Sequence, residues 1–244
     1  MKNASGGMTI KYLLNCAVLI TCGGEKILVD GLFSGNQPFD IMDPSVEEDI
    51  IHGRGEFEGL RYLIVTHCHN DHYNGSKIIR CLKNNPGITL IVPSNARLDA
   101  ERLAGARANI IVMREAVGIL RKIRTDGPRI EYMKTEHLTF RYPEHYCVNI
   151  VFGDENVLLT ADMDVGRIRS LRNFSKRGNS TIFVNSIQLW HRKWRQQLRE
   201  LAYDRVFFYH VASEDRDSWG YRARALLYWN RFGEEFPNGM LLNT

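Results

Sequence analysis

An α/β fold of stacked β-sheets covered by helices is what this sequence predicts. Short apolar runs bounded by turn residues recur along the whole 244-residue chain. Helical periodicity enters only after the first hairpins, which points to sheets laid down first and helices packed onto them. No internal repeat, low-complexity tract or Pro/Ser-rich linker interrupts this pattern, so residues 1–244 read as a single domain.

Taken in order, residues 10–14, 17–21 and 27–30 read as strands, with Gly23-Gly24 supplying a hairpin turn between the second and third. Residues 31–60 carry Gly, Pro, Asp and Glu without periodicity and are expected to be irregular loop. Leu63-Ile64-Val65 is a continuous apolar run, as in a strand buried on both faces. A helix is expected from near Tyr73, with Ile78, Ile79 and Leu82 on its inner stripe and Pro86-Gly87 ending it. Further strand-like runs occur at residues 88–92, 110–113, 130–135, 148–152, 157–160, 182–184 and 206–209, with a turn at Gly153 to Asn156. Ile187, Trp190, Trp194, Leu198 and Leu201 step by three and four, which predicts an amphipathic helix with both tryptophans on its core stripe.

Composition excludes several classes. Charged residues are 25% and apolar residues 44% of the chain, ordinary values that rule out a disordered or fibrous protein. No apolar run approaches the ~18–20 residues a membrane helix needs, so no membrane association is expected. The first ten residues have no apolar stretch before a cleavage site, and the five cysteines (16, 22, 68, 81 and 147) are scattered and odd in number. Both features suit reduced thiols in a cytoplasmic protein. The net charge of +4, from 32 Lys and Arg against 28 Asp and Glu, permits anionic substrates without requiring nucleic acid.

The informative segment is Thr66-His67-Cys68-His69-Asn70-Asp71-His72, which follows the buried run 63–65. Four potential metal donors fall within six positions at the carboxyl end of a strand. Packing offers no reason to crowd imidazoles beside an apolar strand, and nitrogen and carboxylate donors together suit zinc, iron or manganese. Cys68, between donors, reads as a small filler.

HCHNDH at 67–72 resembles the HxHxDH signature of the metallo-β-lactamase-fold hydrolases, and the likeness extends through most of the chain. The resemblance implies a four-layer αββα sandwich, two mixed sheets face to face with helices outside. Val29-Asp30-Gly31 looks like the family's hairpin-end motif, which implies that Asp30 steadies the donor loop without ligating. His137, Asp162 and His210 each follow a strand-like run, as the family's remaining ligands do, with Ala161 where the family has glycine. His145 competes with His137; His137 is preferred because it leaves residues 138–144 for a turn, and His145 then becomes a candidate for substrate contact or proton donation.

On that resemblance one metal takes His67, His69 and His137, the other takes Asp71, His72 and His210, and Asp162 bridges them. Asp71 is also a candidate catalytic residue. The implied cofactors are two divalent ions, zinc first and manganese or iron as alternatives. The implied activity is hydrolysis of a small ester, lactone or phosphodiester by a metal-bridging hydroxide. Glu136-His137-Leu138-Thr139 departs from the commoner Gly-His-Thr-x-Gly and looks more like the branch that includes L-ascorbate-6-phosphate lactonase.

A small anionic substrate is the expected partner. From His72 to His137 is 137 − 72 = 65 residues, too few for the clamp domain of relatives that cleave messenger-RNA precursors. A di-iron redox or sensor protein and an RNA-processing hydrolase are the alternatives. Arg167, Arg169, Arg172, Lys176 and Arg177 read first as a solvated face and second as a funnel for anions. His52 and His191 read as surface residues, and oligomeric state is not legible.

Overall fold

The computed structural model describes residues 7–35, 37–98, 109–139 and 144–242. The chain divides into two compact units, Met1–Asn36 with Ile41–Arg114, and Gln37–Asp40 with Glu115–Thr244.

The first unit is built on a six-stranded sheet in simple order: β1 (Thr9–Leu14), β2 (Ala17–Cys22), β3 (Glu25–Val29), β4 (Leu60–Ile64), β5 (Thr89–Pro93) and β6 (Asn109–Met113). The first three strands pair antiparallel and the rest parallel, so the sheet is mixed. Gly23 and Gly24, at φ +59° and +82°, make the expected turn, which only glycine adopts without strain. Ala17, Leu19, Leu28, Leu63, Val65, Leu90 and Val92 face one apolar cluster with Ile50, Ile51, Ile78 and Leu82 from two helices. The alternate residues Val18, Ile20, Ile27, Val29, Ile64 and Ile91 are equally buried, which is why these strands read as unbroken apolar runs.

Helix α2 (Gly75–Asn84) begins two residues later than the periodicity suggests, because Asn74 caps it by accepting from the Lys77 amide at 3.0 Å. Helix α1 (Pro44–His52) lies where irregular loop was expected. Its cap residue Asp43, its Pro44 and the left-handed Gly53 are ordinary start and stop signals, but only Ile50 and Ile51 are buried. Two apolar positions are too few to show a period.

The second unit carries a seven-stranded mixed sheet in the order β13 (Gly239–Leu241), β12 (Arg205–Tyr209), β11 (Asn179–Asn185), β10 (Glu155–Leu159), β9 (His145–Phe152), β8 (Arg129–Thr135) and β7 (Leu120–Ile123). Strands β10 to β13 pair parallel, and β7 to β10 form an antiparallel meander. Its apolar cluster joins Cys147, Leu158, Ile182, Val184, Val206 and Phe208 to Leu198 of helix α3 (Arg192–Arg199) and Ala225 of helix α4 (Tyr221–Phe232). The single amphipathic helix expected over 187–201 is broken. A 3-10 turn covers Ser186–Leu189, and α3 restarts after Trp190 and His191. Trp190 stacks on Tyr221 instead, with centroids 5.9 Å apart. Two mixed sheets with helices make this an α/β fold, as the sequence indicates.

Candidate metal centre

In the first unit, β3 and β4 run side by side and both end at the donor loop. The Asp30 amide donates to the Ile64 carbonyl at 2.9 Å, which brings its carboxylate under residues 66–72. That carboxylate accepts from the Thr66 amide (2.8 Å), the Thr66 hydroxyl (2.6 Å) and His72 Nδ1 (2.8 Å). Asp30 is 1% exposed and left-handed at φ +50°. Gly31 follows because a Cβ there would lie 2.4 Å from the Leu28 side chain. The Asp30 bond places the proton of neutral His72 on Nδ1 and leaves Nε2 as a donor atom, 3.8 Å from Asp71 Oδ2. His67 Nε2 and His69 Nδ1 stand 3.0 Å apart, and the amides of His72 and Tyr73 both donate to the His69 carbonyl. His67, Asp71 and His72 are buried, and His69 is partly buried.

In the second unit the candidate donors arrive separately. Asp162 follows β10 through Ala161, His210 directly follows β12, and His137 lies just past β8, where it bridges to Met163. The Ala161 amide donates to Tyr209 Oη at 2.7 Å and the Leu138 amide to the Asp162 carbonyl at 2.9 Å. Asp162 thus lies between the other two. Its Oδ1 is 3.1 Å from His210 Nε2 and accepts from Asn185 at 2.9 Å, while its Oδ2 is 3.7 Å from His137 Nε2. Ala161 and His210 are left-handed, at φ +44° and +59°. Ala161 therefore occupies a conformation that glycine adopts at lower cost.

The two histidines that compete for one role differ in what their Nδ1 atoms meet. His137 Nδ1 accepts from the Thr139 amide at 2.9 Å, which puts its ring proton on Nε2, toward Asp162. His137 ligates through Nε2 only by giving up that proton or that amide contact. His145 begins β9 and is fully buried. Its Nδ1 is hydrogen-bonded to the Thr135 hydroxyl at 2.8 Å, and its ring lies 5.5 Å from that of His137. Of the turn expected over residues 138–144, positions 140–143 lie outside the described residues.

Two neighbours went unforeseen. Phe39, in the stretch read as featureless loop, lies against His210 with ring centroids 3.8 Å apart. Cys16, in the β1–β2 turn, has its sulfur within 4.8 Å of a His72 ring nitrogen. No sequence pattern flags either one. Tyr73 is held protonated by burial, aided by Cys68, its pKa pushed up to about 12, and it donates to the Arg97 carbonyl. His52 pairs with Glu48 on α1, and His191 contacts Trp194, both on the surface. The basic run is largely ion-paired: Arg167 to Glu136, and Arg169 and Arg172 to Glu200. All five cysteines stand outside disulfides, and no helix among the described residues is long and apolar enough to cross a membrane.

Residues 15–210, which contain every donor described above, match the family model of the metallo-beta-lactamase superfamily. The chain belongs to that superfamily. No curated protein matches the sequence. Among solved structures it is similar to Igni18, a metallo hydrolase from Ignicoccus hospitalis, at 13% identity and TM-score 0.62, covering 96% of this chain and 94% of that one. It is also similar to the metallo-beta-lactamase fold protein YhfI from Bacillus subtilis, at 16% identity and TM-score 0.55, covering 95% and 88%. A third is CmlA, a diiron beta-hydroxylase from Streptomyces venezuelae, at 15% identity and TM-score 0.60; the match covers 96% of this chain and 52% of CmlA. At such identities the likeness is one of fold.

The donor chemistry fits metal ions. His72 is oriented by a buried carboxylate, as metal-binding histidines commonly are, and Asp162 turns one oxygen toward each of two imidazoles.

Proposed function

We propose that this chain is a metal-dependent hydrolase. His67, His69 and His137 would hold one divalent cation, Asp71, His72 and His210 a second, and Asp162 would bridge them, with zinc the first candidate. The observation that carries this reading is Asp162, whose two oxygens face the Nε2 atoms of different histidines. A carboxylate so placed is suited to hold two cations at once. Bound metals would lower the pKa of a water from ~15.7 toward ~7 and stabilise negative charge on a carbonyl or phosphoryl oxygen.

The protein's own contribution is orientation and exclusion of competing chemistry. Asp30 fixes His72 and the loop; Asp71 is the carboxylate proposed to take up a proton. Burial pushes the Cys81 and Cys147 thiols up to about 12, so neither of these two supplies a nucleophilic thiolate. His145, buried beside His137, is the candidate to relay a proton. A small ester, lactone or phosphodiester with an anionic group is the proposed substrate class.

The test is metal analysis of the purified chain, then assay of the loaded protein against lactone, phosphodiester and thioester substrates. Two zinc or manganese ions per chain with turnover support the proposal. Iron with visible absorbance and no hydrolysis replaces it with the di-iron reading that the likeness to CmlA brings to mind. Salt-sensitive RNA binding favours the RNA-processing reading, against which the paired arginines weigh.

A further inference from the structure

We infer that Cys16 is a sulfur donor to the metal position served by His72 and Asp71, a ligand outside the histidine and aspartate set. The inference rests on the metal reading above. Cys16 is the second residue of the two-residue turn between β1 and β2, which is closed by the Leu14–Ala17 pair. Hairpin tips ordinarily stand in water. Here Asn15 and Cys16 are each 1% exposed. Asn15 takes up a left-handed conformation at φ +52°, and the Tyr12 hydroxyl donates to its carbonyl at 3.2 Å, so the tip is held in place.

What the buried tip presents is chemical. The Cys16 sulfur lies within 4.8 Å of a His72 ring nitrogen. His72 Nδ1 is taken by Asp30, which leaves Nε2 for a cation, and Asp71 Oδ2 is 3.8 Å from that same Nε2. The imidazole of His72 thus has a thiol sulfur within 4.8 Å of one of its ring nitrogens and a carboxylate oxygen 3.8 Å from its Nε2, all in one unit.

Cys81 and Cys147 each belong to an apolar cluster. Cys68, although flanked by donors, turns its sulfur to Asn95 Oδ1 at 3.4 Å. A thiolate is a soft donor. It would bias the position toward zinc, cobalt or iron and away from manganese or magnesium.

The experiment loads metal-free full-length protein with cobalt(II). The wild type and Cys68→Ser should both show near-ultraviolet thiolate-to-cobalt charge-transfer absorption. Cys16→Ser should lose that band, keep visible absorption from its remaining nitrogen and oxygen ligands, and bind zinc more than about tenfold more weakly. Cobalt uptake without the charge-transfer band, or a band that survives in Cys16→Ser, overturns the inference while leaving the metal reading intact. No cobalt uptake overturns both. Should Cys16→Ser fail to fold, X-ray absorption of zinc-loaded Cys68→Ser decides: a sulfur shell at ~2.3 Å supports Cys16, and only nitrogen and oxygen neighbours at ~2.0–2.1 Å overturn it.

Discussion

Thr66 to His72 crowds four candidate donors into one loop, whereas the second unit brings three donors singly from the ends of β8, β10 and β12. The loop is held from outside itself: one buried carboxylate, Asp30, accepts from Thr66 twice and from His72 once. The strand-end donors are held by sheet register, with backbone bonds such as Leu138 to Asp162 and left-handed residues at 161 and 210 turning the chain after each strand. A contiguous set therefore depends on one cradle, and a dispersed set depends on the whole sheet. Both plans place residues in the left-handed region, Asp30 in the cradle and Ala161 and His210 after the strands, where neighbours over-determine them.

The sharpest test removes one donor from each plan. His69→Ala and Asp162→Ala should both reduce turnover to background and lower metal stoichiometry. Urea midpoints should move little, because the two apolar clusters lie on the strands. Unfolding of either variant would mean that metal binding is chiefly structural. Next in size, Asp30→Ala should cost about 3 kcal/mol, because it leaves the buried Thr66 amide and hydroxyl without their acceptor. A shift in urea midpoint at constant m-value measures it. A loss below about 1 kcal/mol would deny the cradle its role.

A pH experiment probes the sheet that carries the dispersed donors. Burial would raise the pKa of Glu131, but hydrogen bonds from Ser175 and Asn149 and the charge of Arg129 outweigh it and hold the group below its ordinary 4.5. A lowered folded value means the contribution to stability is present above 4.5 and is lost as pH falls through the folded value. Glu131→Gln should therefore flatten the acid limb of the stability curve, as followed by unfolding at stepped pH; an unchanged limb refutes the assignment. The smallest effect is expected at Ala161. Ala161→Gly should stabilise the protein by about 0.5–1 kcal/mol, because glycine adopts φ +44° without the Cβ penalty. A lowered melting temperature would contradict this.

Where a signal lay along the chain, the sequence showed it. The HCHNDH run, the Gly23-Gly24 turn and the doubly buried strands each need only neighbours a few residues away. Helix α1 buries only two apolar residues and so shows no period, and over 187–201 a 3-10 turn and a helix share one period across the break at Trp190 and His191. Phe39 beside His210 and Cys16 beside His72 left no trace in composition or spacing. Their partners stand 171 and 56 positions away (210 − 39 and 72 − 16).

The order of residues by itself determined the α/β class and which histidines and aspartates share one loop or follow a strand, because those depend on local pattern. Only the tertiary structure decided that Asp30 cradles Thr66 and His72, that Asp162 faces two histidines, and that a hairpin tip is buried with its thiol beside an imidazole. These are matters of which strand lies beside which, and hydrogen bonds of about 3 Å are settled by sheet pairing across long loops, which no window of sequence contains.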